Sequence, residues 1–140
     1  AESCTGGELA RLITSVSGSS NYFLGGIIPY DYHQKISILG VSEKTISEKT
    51  VVSAEVAQEM SLGGQKLFKT DISIATTGVS GPKSDEFNNE IGTVFYSIRV
   101  KNFEKTNRLF LPHLERNDFA NFVSQRVLQD LIEMIIQEEH

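Results

Sequence analysis

The sequence predicts an α/β fold, a three-layer α/β/α sandwich around a mostly parallel, mixed central sheet. Two observations carry that expectation. Helical stripes and strand-like alternation interleave along the whole chain, and glycine-containing loops follow apolar segments where such sheets place their chemistry. With 140 residues, 39% hydrophobic and 22% charged, the chain has the size and composition of one folded domain rather than a disordered or fibrous segment.

Leu9, Leu12, Ile13 and Val16 recur at helical spacing with Glu8 and Arg11 off the stripe, so an amphipathic helix is expected there, stopped by Gly18-Ser19-Ser20. Residues 23–30 read as a buried strand interrupted by Gly25-Gly26 and ended by Pro29. Asp31 is placed to cap a short helix carrying Lys35, Ile36 and Leu39 and closed by Gly40. Residues 42–50 contain Ser-Glu-Lys-Thr twice and read as a solvated connection, too short for a structural repeat. Ser53 then caps a helix through Val56, Met60 and Leu67, whose Gly63-Gly64 pair predicts either close packing against a neighbour or a break.

Ile72 and Ile74 alternate with polar or small residues in a strand that feeds the loop Thr76-Thr77-Gly78-Val79-Ser80-Gly81-Pro82. After the polar, mobile-looking stretch 83–90, residues 93–100 resume a strand with Val94, Tyr96, Ile98 and Val100 on one face. Another strand is expected over 106–111. Phe119, Phe122, Val123, Val127, Leu131, Met134 and Ile135 mark the buried stripe of a long last helix, with Asn117 or Asp118 as its cap.

Eighteen acidic against 13 basic residues leave a net charge of -5 and no basic stretch, so nucleic acid is not an expected partner, although one small anion can be held by local groups. The apolar runs fall far short of the ~20 residues that span a bilayer. No secretory leader is visible, and Cys4, the single cysteine, makes neither an internal disulfide nor a cysteine metal cluster. A reducing, cytoplasmic setting is the expectation. His33, His113 and His140 include no pair at i, i+4, so a metal site has little support; no cofactor is expected.

Three constellations carry possible chemistry. Glu2-Ser3-Cys4-Thr5-Gly6-Gly7 precedes the first helix, where free amides and the helix dipole suit a phosphate or carboxylate; a plain cap by Ser3 or Thr5 is the commoner use of such residues. Ser20 lies on a Gly-Ser-Ser turn and Lys35 starts a helix. Burial there lowers a lysine enough to take a serine proton, with Tyr30 as relay, yet most serines and lysines are simply solvated. Thr77 to Pro82 can bring backbone amides to a ligand or merely end a strand, and no Walker or dinucleotide fingerprint is present.

Taken together, Ala1-Glu2-Ser3-Cys4-Thr5-Gly6-Gly7, Gly18-Ser19-Ser20-x-Tyr22-Phe23-x-Gly25-Gly26, Tyr30 with Lys35, Val52-Ser53-x-Glu55-Val56-Ala57-x-Glu59-Met60, Thr77-Gly78-x-Ser80-Gly81-Pro82 and Ile91-Gly92-Thr93-Val94 resemble the CinA C-terminal domain family over nearly the whole chain. The resemblance implies a nicotinamide-nucleotide amidase that hydrolyses nicotinamide mononucleotide (NMN) to nicotinate mononucleotide and ammonia without a metal. It implies Ser20 as nucleophile, activated by Lys35 and Tyr30. Ser3, Thr5, Gly6, Gly7, Thr77, Gly78 and Arg116 would hold ribose and phosphate, and a homodimer or higher homo-oligomer is implied. A catalytically weak nucleotide-binding or competence- or damage-associated regulatory module is the alternative, and a hydrolase of another small amide a third.

The chain departs from the family pattern in four places. The family has a helix and a strand before the Ala1 motif, so the single domain 1–140 is expected to lack them. Asp31-Tyr32 stand where the family has Ser-Asn, the stretch 83–90 lacks a Gly-rich run, and Ala120 occupies the place of a second arginine four positions after Arg116. Losing that cation would weaken phosphate binding by ~1.5–3 kcal/mol.

Overall fold

The alternation along residues 93–100 builds the centre of the molecule. In the computed structural model, which describes residues 1–139, β2 (Thr93–Val100) lies between β1 (Ile72–Gly78) and β3 (Phe103–Phe110), and both neighbours run antiparallel to it. Ile74 pairs with Ile98, and Tyr96 with Asn107. Six helices and turns surround the sheet: α1 (Glu8–Thr14), a 3-10 turn at Ser19–Asn21, α2 (Tyr32–Leu39), α3 (Glu43–Lys49), α4 (Ala54–Phe68) and α5 (Arg116–Glu139).

The α/β class holds, but the expected mostly parallel sheet is replaced by three antiparallel strands. The cause is local. Parallel neighbours need a crossover of a dozen or more residues, usually a helix, whereas β2 turns into β3 through only Lys101 and Asn102, with Lys101 in the left-handed region at φ 56°. Loop 79–92 likewise returns β1 to β2 without a helix. The segment 23–30, which reads as a strand in sequence, is extended but forms no ladder; its alternate residues point to solvent, and the Glu2 amide donates to the Ile27 carbonyl.

Alternating side-chain direction divides the strands between two buried faces. Val94, Tyr96, Ile98 and Val100, with Ile74 of β1, form one cluster with Leu9 of α1 and Phe119, Val123 and Val127 of α5. On the opposite side Ala75 of β1 packs with Leu39, Val41, Ile46, Val56 and Met60, and the Ser61 and Ser97 hydroxyls meet at 2.8 Å between α4 and β2. The Gly63-Gly64 pair does not break α4. A Cβ on Gly63 would lie 2.1 Å from the Leu39 carbonyl oxygen and one on Gly64 2.8 Å from the Ser73 hydroxyl, so the glycines let α4 touch the end of α2 and the sheet directly.

Capping explains most helix starts. Asp31 accepts from the His33 amide, Ser42 from Thr45 and Ser53 from Val56. Ser42 converts the expected solvated connection into α3, which Ile46 anchors in the core. Helix α5 begins at Arg116, so Asn117 and Asp118 lie inside its first turn rather than capping it. Across the sheet, the Tyr96 hydroxyl donates to Asp130 of α5 at 2.5 Å, and Asn107 of β3 donates to both. Desolvation, then the Asp130 contact, pushes the Tyr96 phenol up to about 12.

Candidate active site

The start of α1 is built differently from the expectation. Its cap residue, Gly7, has φ 102° and no side chain to accept from the helix. The Glu2 carboxylate does this instead: Oε1 accepts from the Leu9 amide at 2.8 Å and from the Thr5 hydroxyl at 2.7 Å, and Oε2 accepts from the Ala10 amide at 3.0 Å. Thr5 also meets the Thr76 hydroxyl at 2.9 Å. The helix start therefore already holds an anion, the protein's own, and neither Ser3 nor Thr5 is the cap. Sequence inspection missed Glu2 because it reaches the helix from outside any local capping spacing.

Fixing Glu2 and Thr5 fixes Ser3 between them. The Ser3 amide donates to Thr76 Oγ1 at 3.3 Å, and Ser3 is 7% exposed. Its hydroxyl accepts from Lys35 Nζ at 3.0 Å. Lys35 enters from the first turns of α2, is 1% exposed, and also donates to the Pro29 carbonyl at 2.8 Å and the Tyr30 carbonyl at 3.2 Å. Burial lowers its ammonium from 10.5 to about 8, against the opposing pull of Cys4 and Asp31.

The three partners of Lys35 differ in what they can do. Carbonyls only accept, so Pro29 and Tyr30 claim two N–H bonds in either protonation state. A neutral amine has two N–H donors and one lone pair. Ser3 is thus the one partner whose hydrogen bond can reverse, its O–H donating to the lone pair once Lys35 is neutral. Both states of the amine are fully satisfied.

The expected pairing of Lys35 with Ser20 is not the one the structure makes. Ser20 is exposed in the 3-10 turn at Ser19–Asn21 and does not line the cavity above Lys35. Tyr30 presents its backbone carbonyl, not its phenol, to Lys35; the hydroxyl accepts from Arg116 Nη2 at 2.9 Å, while Arg116 Nη1 donates to the Gly81 carbonyl at 2.8 Å. Arg116 thereby links α5, the loop after β1 and Tyr30 across the mouth of the site.

That cavity measures about 440 Å³, within the usual range of small-molecule sites. Ser3, Cys4 and Lys35 line it with Thr77, Gly78 and Arg116. Thr5 and Gly6 line an adjoining cavity that shares Cys4, Tyr30, Ser80 and Arg116, and Gly7 lines neither. Thr77 is buried with its hydroxyl spent on the Val51 carbonyl at 2.9 Å. Desolvation pushes the Cys4 thiol up to about 12, which keeps it protonated and a wall residue rather than a nucleophile. Tyr32 lines the same cavity beside Lys35, where the departure of Asp31-Tyr32 from the family's Ser-Asn predicts a changed lining.

Elsewhere, His33 contacts Asp31 at 2.9 Å and His113 is exposed; His140 lies outside the described residues. Among the described residues no cluster of three metal-ligating side chains occurs, and no helix is long and apolar enough to cross a membrane.

Comparison with known proteins agrees with this architecture. The chain is 44% identical over 138 residues to a CinA-like protein of Flavobacterium psychrophilum, covering 99% of this chain and 32% of that protein. It is 52% identical over 94 residues to a CinA-like protein of Picosynechococcus, covering 67% and 22% respectively. It therefore spans about a third or less of the length of these curated relatives. Among solved structures, a competence-damaged protein (CinA) superfamily protein of Klebsiella pneumoniae superposes with a TM-score of 0.92 at 26% identity, covering 97% of this chain and 84% of that one. One from Escherichia coli gives 0.90 at 28% identity, covering 95% and 77%. The family model described as the CinA C-terminal domain matches residues 1–135, and the chain belongs to that family.

Proposed function

We propose that the chain is a serine amidohydrolase acting on the carboxamide of NMN, with Ser3 as nucleophile and Lys35 as the base that activates it. The observation that carries this reading is the 3.0 Å contact between Lys35 Nζ and the Ser3 hydroxyl beneath a substrate-sized cavity. Neutral Lys35 takes the Ser3 proton as Oγ attacks the carboxamide carbon, and the ammonium so formed gives that proton to the departing nitrogen. The C–N bond breaks, ammonia leaves, and an ester to Ser3 remains. Water then gives a proton to Lys35 and attacks the ester; the proton returns to Ser3 and the carboxylic acid departs. Nucleophile and base lie within hydrogen-bond reach before substrate arrives, as this chemistry requires.

Charge supports a zwitterionic mononucleotide as the substrate. Lys35, Lys83 and Arg116 line the cavity together with Asp31, Asp85 and Glu86, so a phosphate and a ring cation both find opposite charge. Arg116 is the phosphate partner in this reading, in place of the α1 start that Glu2 occupies. Incubating the protein with NMN is expected to release ammonia and nicotinate mononucleotide in equal amounts, faster than ammonia from nicotinamide, asparagine or glutamine. Saturable NMN binding without ammonia would instead identify a nucleotide-binding module, and a better substrate in the panel a different amidase.

We further propose a homo-oligomer in a reducing, cytoplasmic setting, which suits the free Cys4. Val16, Tyr22, Leu24 and Ile28 are each more than half exposed along one segment, an apolar surface that self-association would cover. Sedimentation at micromolar concentration is expected to give at least twice the 15.5 kDa chain mass; a 15.5 kDa species would exclude it.

A further inference from the structure

Tyr32 is a cavity-lining residue with no part in the Ser3 and Lys35 chemistry. It stands at the first position of α2, three residues before Lys35, and residues so spaced share one helix face. Both side chains line the cavity. A carboxamide carbon held against Ser3 Oγ is one bond from its ring, which puts the ring inside the cavity that Tyr32 lines.

That wall is held in place. The Tyr32 ring stacks on His33 with centroids 4.0 Å apart and meets Phe87 edge-on at 5.9 Å. His33 is itself tied to Asp31 through both its amide and its ring. Phe87 belongs to the segment between β1 and β2, which Asp85 braces by accepting from the Asn89 amide at 2.8 Å and its side chain at 2.7 Å, and Asn89 accepts from Thr50. Asp31 adjoins Tyr32 in the chain, and Asp85 and Glu86 adjoin Phe87. All three acids line the cavity, opposite in charge to Lys35, Lys83 and Arg116; the acids are the chain neighbours of the two rings, and an aromatic wall beside carboxylates favours a cationic ring over a neutral one.

We propose that Tyr32 determines ring specificity, packing against the substrate's pyridinium so that the oxidised, cationic nucleotide is preferred over its neutral dihydropyridine form. The substrate class rests on the amidase reading above; the role of Tyr32 is tested by binding rather than turnover, so the two can fail separately.

In a Ser3→Ala background, calorimetry is expected to show NMN binding about tenfold tighter than reduced NMN. Tyr32→Asn should abolish most of that ratio and Tyr32→Phe should keep it. The chain has no tryptophan, so Tyr32→Trp supplies a single reporter, and NMN is expected to quench its fluorescence saturably through ring contact. A ratio unchanged in Tyr32→Asn, or NMN binding in calorimetry that leaves the tryptophan emission untouched, overturns the proposal. Tyr32-dependent NMN binding by a parent protein that releases no ammonia would overturn the amidase reading alone. No NMN binding at all overturns both. Should Tyr32→Asn fail to fold, the Tyr32→Phe and Tyr32→Trp proteins still decide the matter.

Discussion

Ser3→Ala is expected to lower ammonia release from NMN by on the order of 10⁴-fold or more, whereas Ser20→Ala stays close to the parent rate. The contrast follows from position. Ser3 Oγ is 3.0 Å from the buried amine and faces the cavity, while Ser20 is exposed on the 3-10 turn with no lysine in contact. Alanine at position 3 leaves the Glu2 and Thr5 bonds that shape the α1 start intact and removes one of the three bonds of Lys35, so stability should fall by no more than about 1–3 kcal/mol while the rate falls by orders of magnitude. Steady-state ammonia assays on the two variants check this. A dead Ser20→Ala beside an active Ser3→Ala would return the nucleophile to the residue the family resemblance suggested.

Lys35 should give the second large effect. Lys35→Met is expected to cost ~10²–10⁴ in kcat/KM, and Lys35→Arg should not restore it, because a guanidinium stays protonated and has no lone pair for the Ser3 proton. In the parent protein the active form has a neutral amine, so kcat/KM should rise with pH and level off above about 8. A flat profile between pH 6 and 9 would exclude Lys35 as base.

The same depressed value links to stability. Between about 8 and 10.5 the unfolded chain keeps a proton on Lys35 that the folded protein has lost, so stability rises with pH across that window, at up to about 1.4 kcal/mol per pH unit. Below it both states are protonated and the full cost of burying the ammonium remains. Cys4 acts oppositely: its thiol, raised from 9.0 to about 12 in the fold, removes stability as pH climbs through that higher range. Denaturant unfolding of the parent and of Lys35→Met, compared at each pH, separates the lysine contribution from the thiol.

Much of this was legible before any coordinates. The caps Asp31 and Ser53, the αL stop at Gly40 and the buried stripe of β2 all follow from short-range rules, because caps and alternation involve residues a few positions apart. The misreadings share one origin. Residues 23–30 have a strand's composition but find no ladder partner, and interleaved helix and strand signals read as a parallel sheet where the short connection at Lys101 and Asn102 makes an antiparallel one. Residues 42–50 look solvated until Ile46 is seen to meet the core.

By itself the sequence determined the α/β class, the family and the chemical parts of the site: a serine-bearing glycine motif, a lysine on a capped helix and a lone arginine at the start of α5. The tertiary structure alone decided which serine the lysine contacts. Ser3 and Lys35 are 32 positions apart, Ser20 and Lys35 only 15, and nothing in spacing ranks the first pair above the second. The choice comes from Glu2, whose carboxylate holds the α1 start, and from Pro29 and Tyr30, whose carbonyls take two of the amine's bonds and leave the third to Ser3. Such contacts depend on desolvation and on three segments meeting in space, and neither quantity is local to the chain.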